Sequence, residues 1–305
     1  MYMDFATLLA QAKPPKRQTV AVAAPEDAVV LKTLVDAYQE GIANAILCGD
    51  ETRIKAAAAE EGLDISAFAL IHAADEQRSA AAAVAAVREG KADMLMKGQL
   101  QTSALLKAVL DKERGLRGSG LISHVCVLYS PILDRILFLS DAAMVTYPDL
   151  PAKAKLIENA VLAAKGMGLA CPKVAVLAAV ETVNQDMQPT LDAAMLSMMN
   201  KRGQIKGCIV DGPLAMDLAI SPYAAEHKGV KSEVAGYADI LIFPNIEAGN
   251  CALKVFTCAG HGIFGGVIMG AAAPIVLSSR GDSEQSKLYS IACAAKIALV
   301  NGGTV

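Results

Sequence analysis

The chain contains no tryptophan, and aromatic residues make up only 4% of its 305 residues. Binding of bases or sugars through stacked rings is therefore not expected. It also lacks any basic block, and its formal net charge is -3, which argues against nucleic acid or an anionic membrane surface as partner. Seven cysteines are present, yet none has a C-x-x-C or other metal spacing, and the four histidines are scattered. No P-loop, H-E-x-x-H or G-x-S-x-G occurs, so neither a metal site nor a Ser-His-Asp triad is expected. The most apolar long stretch, 262–277, is rich in Gly, holds Pro274 and is shorter than a bilayer span requires. Asp4 stands early, with no basic start ahead of an apolar run, so no secretory signal is expected.

What is present favours a large folded core. Apolar residues make up 54% of the chain and charged residues 19%, a balance that excludes disorder. The length suits two lobes of ordinary domain size. Cys48, Cys126, Cys208 and Cys293 sit inside apolar runs and read as buried small hydrophobes. Reduced thiols imply a cytoplasmic location.

Short apolar runs alternate with helical patterns along the sequence. Strands are expected at 19–24 (TVAVAA), 44–48 (NAILC), 92–96 (ADMLM), 173–180 (KVAVLAAV), 207–210 and 239–243. Helical spacing fills 26–40, 51–61 and 79–89, and a long helix is expected after YPDLPAK through Gly166. This is the pattern of an α/β protein with doubly wound, mainly parallel sheets covered on both faces. One segment breaks the rhythm: 121–129 and 135–140 read as a hairpin around a turn at 131–134, which suggests a crossover into a second lobe.

The nucleotide fingerprint G-x-G-x-x-G occurs at 260–265, but in the wrong context. A helix is expected before it, at 250–259, and a strand after it, at 266–269, whereas the motif requires the reverse order.

Three other signatures carry more chemistry: DGPLAMD (211–217), PNIEAGN (244–250) and SSRGDSEQSKLYS (278–290). Each puts Gly, Asp, Asn, Ser or Arg after a short apolar run, and ligands bind at the carboxyl ends of parallel strands. In the last signature Asp282, three residues before Gln285, has capping-box spacing and predicts a helix from there through Ala298. The positive end of that helix would lie beside Arg280 and the hydroxyls of Ser278 and Ser279, a combination able to hold a phosphate. In such a helix Asp282 and Ser286 share a face. The simpler role for Asp282 is an N-cap alone, and for Asn250 a helix cap.

Taken together these motifs resemble the phosphate acetyltransferase and phosphate butyryltransferase family. Further similarity lies in MKGQLQT (96–102), LISHV (121–125), SDAAMVTYPDL (140–150), KVAVLAAVETVN and RGQIKGCIVDGP. SDAAM with YPDL, and AAVETVN, look more like the butyryl branch. The resemblance implies two three-layer αβα lobes with an interlobe cleft. The first lobe would comprise 1–139 plus 275–305. The second, 140–274, would be inserted and serve oligomerisation.

The implied reaction is reversible transfer of a short acyl group between coenzyme A and inorganic phosphate. Coenzyme A or acyl-coenzyme A and phosphate or acyl phosphate are the expected partners, without metal or redox cofactor, in a homodimer or larger homo-oligomer. The implied catalytic set is Asp282, Ser279, Arg280 and Ser286. Substrate contacts are expected from Ser278, Lys97, Thr102, Ser123, His124, Asp211, Asn245, Glu247, Gly249 and Asn250. Acetyltransferases of the family place an Asp six residues beyond the Arg, thought to deprotonate the thiol. Here Ser286 holds that place and Asp282 lies two beyond Arg280. Competing readings are an acetyl-specific enzyme, a dehydrogenase on a related two-lobed fold and a non-catalytic acyl-coenzyme A sensor.

Overall fold

The computed structural model of the chain describes residues 3–118, 120–277 and 281–301. The chain divides into two compact units after residue 120 and after residue 264. The outer unit holds both ends of the described chain, and the inserted unit holds 121–264.

The outer unit begins with α1 (Phe5–Ala12), β1 (Gln18–Ala23), α2 (Ala28–Gln39), β2 (Ala43–Gly49) and α3 (Glu51–Glu60). It continues through β3 (Ala69–His72), α4 (Glu76–Arg88), β4 (Met94–Lys97) and α5 (Thr102–Val109). Aspartates start most of these helices. Asp4, Asp27, Asp50 and Asp75 each accept the backbone N–H three residues on. A first-turn donor that has no helical partner is thereby satisfied, which is worth about 1 kcal/mol per helix.

The inserted unit runs β5 (Ser123–Ser130), β6 (Arg135–Ser140), α6 (Leu150–Gly166), β7 (Lys173–Leu177) and α7 (Gln188–Lys201). It then forms β8 (Ile209–Leu214), the short α8 (Met216–Ile220) and α9 (Pro222–His227), β9 (Ile240–Ile242) and α10 (Ile246–Lys254). A π-helical turn, Val255–Ala259, ends α10. The expected hairpin is present: β5 pairs antiparallel with β6. Because β6 pairs in turn with β9, the hairpin belongs to the inserted unit. The crossing into that unit therefore falls after residue 120, ahead of the 139/140 position that the resemblance implied, and the return falls after 264 rather than 274.

The chain returns to the outer unit through β10 (Ile263–Met269), β11 (Ile275–Val276) and the long α11 (Glu284–Asn301). The fingerprint at 260–265 thus follows a helical turn and runs into β10, the reverse of a dinucleotide site.

Strand order in the outer unit is β3-β2-β1-β4-β11-β10, with only β10 antiparallel to its neighbour. The chain winds outward from β1 to β3 and then returns to β4 on the other side of β1. That reversal makes the β1/β4 boundary a topological switch point, where open α/β sheets bind ligands. Helix α4 packs on β1 and β2, while α11 packs on α2 and α1. Strands so covered are buried almost throughout, as in VAVA of β1 and MLM of β4. Edge strand β3, whose ends are exposed, carries too weak an apolar signal to be read from sequence.

In the inserted unit the order is β5-β6-β9-β7-β8, and all pairs but β5/β6 are parallel. One face is covered by α6 and α7. The other buries Leu139, Leu177, Leu214, Leu241 and Phe243 against Leu218 and Leu253 of α8 and α10. Each unit is thus a sheet between helical layers. Among the described residues, no helix is long and apolar enough to cross a membrane.

Candidate active site

At the carboxyl edge of the outer sheet, β1, β4 and β11 run in parallel and end together: Ala23 pairs with Lys97, and Met96 with Val276. Beyond β1 and β4 the two chains diverge in close contact. Gly98 N–H donates to Ala23 O at 2.8 Å and Gln99 N–H to Ala24 O at 2.7 Å. A Cβ on Gly98 would lie 2.0 Å from Ala24 O, so only glycine fits this crossing. Gln99 Nε2 then donates to Asp27 Oδ2 at 3.0 Å. The Lys97 ammonium folds over the same loop and donates to the carbonyls of Gly98 (3.1 Å) and Leu100 (3.3 Å). Thr102 opens α5 and is half-buried.

From Val276 the chain leads through Leu277 to Ser278, Ser279 and Arg280, which lie outside the described residues. The head of α11 follows directly, and here the expectation from sequence is corrected. The cap is Ser283, not Asp282: Ser283 Oγ accepts Ser286 N–H at 3.1 Å, and Ser283 O accepts Lys287 N–H at 3.0 Å. With helical hydrogen bonding starting one residue late, Asp282 stands outside the helix, and no helical face is shared with Ser286. Ser286 is buried, and its hydroxyl accepts the Ser283 Oγ–H at 3.2 Å. Ser290, one turn on, donates to Ser286 O at 2.7 Å and accepts Gly266 N–H at 3.0 Å, tying α11 to β10. Lys287 is 7% exposed, and its ammonium reaches back past the cap to donate to Asp282 O.

The remaining candidates belong to the inserted unit. Ser123 and His124 open β5, across the hairpin from the end of β6. Asp141 Oδ2 accepts His124 N–H at 2.8 Å, and Oδ1 accepts the N–H groups of Ala143 (2.8 Å) and Met144 (2.9 Å). This carboxylate is buried, and three backbone donors define its place. Ser140 Oγ donates to His124 O at 3.1 Å. Asn159 of α6 donates to Ser123 Oγ and to Leu121 O, both at 2.8 Å.

The NIEAGN run meets the loop after β6. Asn245 caps α10 by accepting Ala248 N–H at 3.0 Å, and Ile246 N–H donates to Thr146 O at 2.9 Å. Glu247 accepts the Tyr147 hydroxyl, and the carboxylate beside that phenol pushes its pKa above the usual value. Asn250 donates to Ala142 O at 3.0 Å. Gly249 is packed so tightly that a Cβ would lie 2.3 Å from Asp141 O. Asp211 stands apart from this group. It lies within β8, opposite Ala175, and lines a cavity of about 400 Å³ with Lys201 and Lys231.

The candidates therefore form two groups, one in each unit, with Asp211 in neither. Sequence reasoning missed Asp141, Ser283 and Lys287. Each stands inside a quoted motif, and the readable signal for Lys287 was a charge placed among the small and aromatic residues of a buried helix face, in SKLYS. Among the described residues no group of three or more His, Cys, Asp or Glu side chains is arranged to hold a metal ion.

The family model described as "Phosphate acetyl/butaryl transferase" matches residues 4–83 and 75–295. The chain is 47% identical over 298 residues to the phosphate butyryltransferase of Clostridium acetobutylicum, covering 98% of this chain and 99% of that one. It is 41% identical to the phosphate acetyltransferase of Thermotoga maritima, covering 98% of this chain and all of the relative (100%). The crystal structure of a branched-chain phosphotransacylase from Enterococcus faecalis superposes with a TM-score of 0.82 at 33% identity, covering 92% of this chain and 99% of that one. The chain belongs to the phosphate acetyl/butyryl transferase family.

Proposed function

We propose that this protein is a phosphate butyryltransferase: it transfers a short acyl group, butyryl in preference to acetyl, reversibly between coenzyme A and inorganic phosphate. One observation supports the phosphate half of this reading, and the similarity to phosphate butyryltransferases supports the acyl half. Strand β11 ends at Val276, with Leu277 between it and the Ser278-Ser279-Arg280 run in sequence, and the chain beyond that run enters α11, whose first turn holds the buried Lys287. Hydroxyls, fixed cations and the positive end of a helix suit a phosphoryl group.

A free thiol titrates near ~8.5, so a base is required to form thiolate at neutral pH. Asp282 takes the coenzyme A proton. The thiolate sulfur attacks the acyl phosphate carbonyl, the carbon–oxygen bond to phosphate breaks, and phosphate leaves as the thioester forms. Ser279 donates to the developing oxyanion and Arg280 clamps the departing phosphate. Because Ser283 supplies the cap, Asp282 is released from that duty. Ser286 is engaged with Ser283, which favours a role in fixing this turn. In the inserted unit, Ser123, His124, Asn245, Glu247, Gly249 and Asn250 support the reading by shaping the loop after β6 rather than by offering free polar groups. The protein acts as a homodimer or larger homo-oligomer in the cytoplasm; its cysteines are all free thiols, as a reducing compartment requires.

The test is thiol release from acetyl-, propionyl- and butyryl-coenzyme A, with and without inorganic phosphate. Phosphate-dependent release fastest with butyryl-coenzyme A is expected. Fastest release with the acetyl donor moves the chain to the acetyl branch, and release indifferent to phosphate with every donor sinks the reaction.

A further inference from the structure

The head of α11 contains a charge that the cap does not need. Lys287 is the fourth residue of the helix, is 7% exposed, and turns its ammonium back to the backbone oxygen of Asp282, one residue before the cap. A cation at this end opposes the helix dipole, and a buried ammonium requires more compensation than one neutral carbonyl gives. Among the described residues, that is the one hydrogen bond its three donors make. The first-turn acid does not neutralise it, because Glu284 pairs with Lys32 at 2.8 Å. Among the described residues, Lys287 forms no ion pair with a carboxylate. A neutral donor would tie down Asp282 O as well as lysine does, so the bond to that carbonyl does not account for the charge.

We propose that Lys287 supplies its positive charge to the phosphoryl group of the substrate, so that the inorganic phosphate or acyl phosphate is the anion this buried ammonium lacks. The inference rests on the acyl transfer reading and adds a phosphate-binding residue to it. A helix N-terminus and a buried ammonium at its tip then act on the same anion. Coenzyme A carries phosphate groups of its own, so separate KM values for inorganic phosphate and for acyl-coenzyme A tell which anion Lys287 meets.

Three variants separate charge from scaffold: Lys287→Gln keeps a donor without charge, Lys287→Met keeps the apolar stem alone, and Lys287→Arg keeps the charge. Each is assayed for KM and kcat with inorganic phosphate and with acyl-coenzyme A, and melted over a series of inorganic phosphate concentrations. Lys287→Gln and Lys287→Met are expected to raise the KM for phosphate at least about tenfold, as loss of a charge-assisted hydrogen bond does. Their KM for acyl-coenzyme A should stay near that of the parent, and Lys287→Arg should recover most of the phosphate affinity. Phosphate should raise the melting temperature of the parent and of Lys287→Arg but not of the two neutral variants. A folded Lys287→Gln with parental phosphate KM and parental phosphate-dependent melting overturns the proposal and leaves Lys287 a scaffold residue. A parent whose melting temperature rises with phosphate but which turns over no acyl donor sinks the transfer reaction instead, and the melts of the variants still decide the role of Lys287.

Discussion

The heads of α10 and α11 are built alike and used differently. Both follow a parallel strand, both start on a small polar cap, Asn245 or Ser283, and both lie in segments whose composition suggests a ligand site. At α10 the polar groups are spent within the inserted unit. Asn245 caps, Asn250 holds Ala142 O, Glu247 takes Tyr147, and Gly249 lets Asp141 O approach. At α11 the cap is satisfied by Ser283, and a buried ammonium is left over beside Asp282. Small polar caps at both heads thus go with a clamp in one place and, on the proposal above, an anion site in the other. What separates them is a charge: Lys287 at the α11 head has no carboxylate partner among the described residues.

Substitutions break that comparison in graded steps. Asp282→Asn should lower kcat by roughly a hundredfold or more, the range for loss of a general base, with little change in melting temperature because Ser283 does the capping. Intact kcat with a lowered melting temperature would return Asp282 to the scaffold. Arg280→Ala should cost on the order of 3 kcal/mol of barrier, roughly a hundredfold in rate, and raise the KM for phosphate. Near-parental steady-state kinetics would remove it from the site.

On the α10 side the effect should move from rate to stability. Gly249→Ala places a methyl group 2.3 Å from Asp141 O, and chemical denaturation should show a loss of about 1–3 kcal/mol. Unchanged stability there would mean that the loop after β6 yields easily. The two caps make a finer test. Asn245→Ala and Ser283→Ala should each cost about 1 kcal/mol of stability. Only Ser283→Ala should also raise the KM for phosphate, and equal kinetic effects would erase the distinction between the two heads.

The smallest effect is a difference in thiol chemistry. Cys251 and Cys258, on and just after α10, are exposed, whereas burial pushes the Cys293 thiol of α11 up to about 12. Alkylation at pH 8 followed by peptide mapping should label Cys251 and Cys258, together with exposed Cys171, and spare Cys293. The sign of the accompanying pH effect is fixed. Burial likewise raises Cys48 to about 12, so both thiols stay neutral in the folded chain where unfolded ones ionise. Their stabilisation is full below the ordinary thiol value of 9.0 and is lost as pH rises from there to about 12. Labelling of Cys293 in the native protein at pH 8 would show that α11 opens.

Much of this was legible in the residues. Runs such as TVAVAA and AILC are β-branched or apolar throughout, because strands covered on both faces leave no polar side to disguise them. The hairpin at 123–140 was legible because its turn interrupts two such runs. Edge strand β3 was not, since its exposed ends need no apolar residues. The start of α11 was read one residue early, because Asp282 and Ser283 are both good caps and local sequence does not choose between them.

By itself, then, the sequence determined the alternation of strands and helices, the family and the set of polar residues at strand ends, all of which depend on neighbours along the chain. Tertiary structure decided which of those polar residues remain available. Partners such as Asp141 for His124, Ala142 for Asn250 and Lys32 for Glu284 are distant in sequence, and only packing brings them within a hydrogen bond.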